Sequence, residues 1–104
     1  MNLDILKKEF VPKFIQEGDT KFYRSLLILA INKLVLLSQG NYKGGLPNLE
    51  LLDYHDQFII LYRREGEKVY LDVAKVFRRA AHKIYRIMLK KHMCEVDKRF
   101  LNLL

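Results

Sequence analysis

The sequence is short of nearly everything that builds a loop-rich, cross-linked or membrane-embedded protein. It has one cysteine, Cys94, in 104 residues, so no internal disulfide framework exists. It has five Gly, two Pro and no Trp, too few breakers for a low-complexity or many-turned chain. The start, "MNLDILKKEFVPKF", carries charges throughout and lacks the apolar run of a secretory leader. With a lone thiol, a reducing, cytoplasmic setting is the default expectation. The most apolar window, "LLILAINKLVLL" at 26–37, is 12 residues long and holds Asn32 and Lys33. A membrane-crossing helix needs roughly 20 apolar residues, so no span is expected.

What remains is half hydrophobic, with twelve aromatic residues and a net charge of +7. That is enough apolar material for one packed domain over 1–104. The charge is unevenly placed. Residues 62–92 hold ten Lys or Arg against three acids, and the rest of the chain holds nine of each sign. The whole excess therefore sits in less than a third of the chain.

The period of the apolar residues is helical throughout. Leu3, Leu6, Phe10 and Phe14 recur at three and four, a first amphipathic helix that Pro12 would kink or divide. In "EGDT", Gly18 suits a helix end and Asp19 or Thr20 a helix start. Residues 21–39 are apolar nearly all round, which predicts the central, buried helix of a bundle. Its polar stripe, Ser25, Asn32 and Gln39, repeats every seven residues. The stretch "GNYKGGLPN" at 40–48 is a loop, after which Asn48 is expected to cap a third helix ended by Gly66. A hairpin across 57–72 is the competing reading of "FIILYRREGEKVYL". The continuous apolar run at 58–62 and the 51-54-58-61 spacing favour helix.

A fourth helix is expected from Lys68. At 100° per residue its apolar positions fill an arc from about 100° to 280°, with Lys75 at zero. Phe77 and Tyr85 belong to that apolar side. Lys75, Arg78, Arg79, His82, Lys83, Arg86 and Lys90 fall between about 300° and 80°, an almost wholly cationic arc on the other side. Past Lys90 the apolar set Met93, Val96, Phe100 and Leu103 faces elsewhere, which predicts a break near 91–94 and a short C-terminal helix. A helix continuing unbroken would instead turn Phe100, Leu103 and Leu104 toward a second chain. The expected fold is thus all-α: a compact single-domain bundle of four main helices plus a short C-terminal one.

No strong enzymatic signature is present. There is no phosphate-cradling glycine loop, and Cys94 with His92 falls short of the four ligands of a zinc site, so neither metal nor cofactor is expected. Asp53 and Asp56 in "DYHD" are three apart, the spacing of a paired-carboxylate site. They also suit the positive end of a helix, which is the plainer reading. Arg79 with His82 offers acid–base chemistry on a phosphodiester in principle. Arg86 and His92 have five residues between them, which matches the Arg/His spacing of the small all-helical HEPN ribonuclease domains. One spacing in a chain this rich in arginine assigns no family, and catalysis is not the main expectation.

The cationic arc is the strongest functional signal. A merely solvated face mixes signs, because opposite charges at i,i+4 stabilise a helix. Here Lys75–Arg79, Arg79–Lys83 and Arg86–Lys90 are like-charged i,i+4 pairs, each costing a few tenths of a kcal/mol. A stripe that works against its own helix answers to something outside it, and phosphate is the fitting chemistry. Nucleic acid, DNA or RNA, is therefore the expected partner. The face lacks the Asn and Gln that read adenine edges, so sequence preference is expected to be weak. An anionic membrane surface fits less well, since an interfacial helix needs its apolar side free. The rival class is a protein-interaction module or accessory subunit, homodimeric through the C-terminal apolar stripe.

Overall fold

In the computed structural model the described residues are 2–40 and 44–103, with side chains described through Lys90. They form four helices and, among the described residues, no strand: α1 Leu3–Glu17, α2 Asp19–Ser38, α3 Pro47–Glu65 and α4 Lys68–Leu103. The chain is a compact all-α bundle, and the hairpin reading of 57–72 gives way to helix, turn, helix. Two glycines make the tight connections. Gly18 at φ 81° closes α1, its N–H donating to the Phe14 carbonyl at 2.8 Å. Gly66 takes the left-handed conformation at φ 74° and donates to the Tyr62 carbonyl at 2.8 Å. Both conformations are costly for residues with a Cβ.

Three expected boundaries are corrected. Pro12 neither divides nor ends α1, which runs through it as one helix with the ring exposed. Asp19 is the first residue of α2 rather than its cap, and no side chain caps that end. Asn48 does not cap α3 either. The helix starts one residue earlier, at Pro47, whose fixed φ and missing N–H suit the first helical position. Asn48 is left buried, its Oδ1 without a partner among the described residues.

The larger correction concerns which helix is central. α4 packs against all three others, and α3 lies along it antiparallel across the two-residue turn at Gly66 and Glu67. Val73, Ala74, Val76, Phe77, Ala80, Ala81 and Ile84 of α4 are all at most 1% exposed. The three alanines have little side chain to hold neighbouring backbones apart, while Phe77 fills the middle. Its ring stacks on Phe58 at 5.8 Å and meets Phe10 and Phe22 edge-on at 5.1 and 5.7 Å. Such pairs add roughly 0.5–1.5 kcal/mol beyond the area they bury. α2 contributes the buried stripe Phe22, Leu26 and Ala30 to this core, with Tyr23, Leu27 and Leu34 half-buried against it, and much of its remaining apolar surface is exposed.

Among the described residues no separate fifth helix is seen, since α4 is one element of 36 residues. The physical reason is local: from Lys68 to Leu103 there is no Gly or Pro to break it. A change in which face is apolar does not by itself interrupt the backbone ladder. The stripe Met93, Val96, Phe100 and Leu103, with Leu104, lies outside the residues whose side chains are described.

Candidate nucleic-acid interface

The face in question is made by one helix and kept outward by what the other side of that helix buries. With Val73, Val76, Phe77, Ala80, Ala81 and Ile84 locked into the core, the remaining half of the cylinder has no choice but solvent. Lys75, Arg78, Arg79, His82, Lys83, Arg86 and Lys90 are all exposed. From Lys75 to Lys90 they span about 22 Å of helix axis, a length over which one DNA strand carries about six phosphates.

The seven are not equivalent. Arg79 is already engaged: its Nη2 donates to Asp19 at the start of α2, and its guanidinium lies 4.4 Å from the centre of the Tyr23 ring. It fastens α2 to α4 while leaving its side chain about half exposed. Among the described residues, no acid lies within ion-pair distance of the other six. Asp72, on the same side of α4 at about 60° from Lys75, is half-buried and makes no described ion pair. Local spacing carries no sign of the Arg79 clamp, because Asp19 is sixty positions away.

One position beside the stripe differs from expectation. Tyr85, placed on the apolar side by its angle, is 50% exposed. α3 has 19 residues against 36 in α4, so an antiparallel partner starting at the same turn runs out near Arg86 at equal rise per residue. Tyr85 lies at the edge of the apolar arc and at the end of that cover. Its exposed ring stands beside the basic stripe, which is where a stacking contact to a base would be useful. Leu89, at about 320° from Lys75 and so within the basic arc, is 43% exposed as its angle implies.

The other candidates separate from this face. Asp53 accepts a hydrogen bond from Gln57 Nε2 at 2.7 Å and Asp56 sits 2.9 Å from His55 Nδ1, so each carboxylate is occupied on its own helix. Among the described residues, no group of three or more His, Cys, Asp or Glu converges. His92 and Cys94 lie outside the described side chains, so the Arg86–His92 spacing gains no geometry. A cleft of about 180 Å³ opens between α1, α2 and α3, with Phe77 in its lining. It therefore lies behind the apolar side of α4, away from the basic face. The charged pair at its rim, Lys33 and Glu50, is joined at 2.7 Å. Burial, with Glu50 and Glu9 adding to it, pushes the Tyr54 hydroxyl above the usual tyrosine range.

Fold and face together define a class: a four-helix protein whose longest helix is core on one side and almost uniformly basic on the other. No family model, curated protein or solved structure matches the chain. Among the described residues, no helix is long and apolar enough to cross a membrane.

Proposed function

We propose that this protein binds nucleic acid, DNA or RNA, through the exposed face of α4, largely without sequence preference. The observation that carries the reading is the set of five exposed cations on one face, Lys75, Arg78, Lys83, Arg86 and Lys90, with His82 among them and no acid to neutralise them among the described residues. Arg78 and Arg86 are the free guanidiniums, able to hold phosphate with paired N–H donors, while the lysines act as point charges. Arg79 lends charge from its clamped position.

The test is binding of labelled duplex DNA and single-stranded RNA over a salt series, for the wild type and Arg78→Glu/Arg86→Glu. The expected wild-type affinity is about micromolar at low salt, with a log–log salt slope reflecting several displaced counterions. The double variant should bind at least tenfold more weakly, its slope reduced by about two. No wild-type binding at low salt refutes the reading and turns attention to an acidic protein partner. The accessory-subunit alternative, dimeric through Met93, Val96, Phe100 and Leu103, is checked by solution mass with and without residues 93–104.

A further inference from the structure

A second exposed surface is opposite in chemistry. The outward face of α2 carries Ile28, Leu29, Ile31, Val35 and Leu36, between 40% and 60% exposed. Leu46 and Leu49 at the start of α3 are also about half exposed. The five exposed aliphatic side chains of α2 leave on the order of 500 Å² in the open, the size of the largest and often functional patch on a monomer. A standard interface takes about 800 Å² from each partner.

Beyond Arg24, which is exposed one turn before Ile28, the face is also neutral. From Ser25 to Gln39 the sole charged residue is Lys33, and it turns aside to Glu50 of α3. In a chain carrying +7, this is a place where two copies can meet without opposing like charges. In the middle stands Asn32, exposed and with no hydrogen-bond partner among the described residues. Ile28, Asn32 and Val35 have the four-then-three spacing of a helix-pairing seam, with Asn32 at an inner position. A buried Asn needs a partner offering both a donor and an acceptor, and another Asn supplies both at once.

We propose that the exposed face of α2 is the seam of a two-fold homodimer, in which two copies meet helix to helix with Asn32 opposite its counterpart. A neutral seam offers no charge for recognising anionic lipid or a charged protein, whereas a self-complementary amide on a symmetry axis fits a second copy. The inference stands apart from the nucleic-acid reading, and salt separates them. Dimerisation should strengthen as salt screens the repulsion between two basic chains, while phosphate binding should weaken.

The experiment is sedimentation of the full chain from about 1 to 300 µM, beside Ile28→Glu/Val35→Glu. Both positions are exposed, so the variant should keep its helicity and melting temperature, read by circular dichroism. A wild-type dimer that this variant weakens by about a hundredfold or more supports the proposal, since four carboxylates would enter an apolar seam. A second readout does not depend on that variant. In a Cys94→Ser background, Asn32→Cys should form a covalent dimer on mild oxidation, whereas Lys75→Cys should not. A wild type that is monomeric throughout, a dimer indifferent to Ile28→Glu/Val35→Glu, or no cross-link at Asn32→Cys overturns it.

Discussion

α2 and α4 are the two helices richest in apolar residues over their described lengths, and they use that material in opposite ways. α4 alternates apolar with basic, so only one orientation buries its hydrophobic side without burying charge. Its core face is sealed and its basic face is fully out. α2 is apolar on most of its circumference, and any of several rotations would satisfy its own sequence. The stripe Phe22, Leu26 and Ala30 was selected by its neighbours, leaving Ile28, Ile31 and Val35 in solvent. A helix with polar residues on one side announces its inside; a helix without them does not.

The largest expected effect tests whether α4 is the true centre. Phe77→Ala should cost about 3–5 kcal/mol, because the ring is fully buried among four aromatic partners. Denaturant unfolding measures it, and a loss under about 1 kcal/mol would remove α4 from the centre. Next comes a comparison within α2. Leu26→Ala, at a site 6% exposed, should cost about 2–5 kcal/mol. Ile28→Ala, at 60% exposed, should stay within about 0.5 kcal/mol in dilute solution. Equal costs would mean that the two faces of α2 are not distinct.

A smaller effect sharpens the contrast along α4's basic side. Arg79→Gln gives up the Asp19 pair and the Tyr23 ring contact, and should cost roughly 0.5–1 kcal/mol at so exposed a site. Arg78→Gln, free of such contacts, should be neutral for stability yet weaken nucleic-acid binding more than Arg79→Gln does. Thermal melts and a binding titration on the same two proteins decide the order.

The smallest effect is at the other end of the bundle, where α1 meets the end of α3. Lys7 donates to Glu65 at 2.7 Å, and Arg64 to the same carboxylate at 3.1 Å. The Lys7 hydrogen bond, helped by Arg64, holds the Glu65 carboxyl below the usual glutamate range, and the same bond raises Lys7. A carboxyl whose folded pKa is depressed stabilises the fold above its unfolded pKa and loses that contribution as pH falls through the folded value. The melting-temperature difference between wild type and Glu65→Gln should therefore be small but present at neutral pH, and should vanish between about pH 5 and pH 3. A difference that persists at pH 3 would assign the effect to packing instead.

Much of this was legible in the residues themselves. Helix class, the Gly18 and Gly66 breaks, the start at Lys68 and the one-sided basic stripe all follow from local spacing and from the lack of a Cβ at two positions. The errors share a different origin. Asn48 lost the helix start to Pro47, with Leu46 in the cap position, because two good starting residues stood side by side. Tyr85 was assigned inside because an angle on a wheel does not say how far the neighbouring helix reaches. The break expected near 91–94 rested on a change of face, and backbone hydrogen bonds do not register a change of face.

The sequence by itself determined that α4 would have a dry side and a basic side, because burying unpaired guanidinium and ammonium groups costs far more than any packing there returns. Only the tertiary structure decided that Arg79 would be clamped by Asp19, that α4 rather than α2 would be the centre, and that α2's second face would stay open. Those outcomes depend on which surfaces of distant segments meet. Apolar contact is non-directional, so it leaves that choice to the packing of the whole chain.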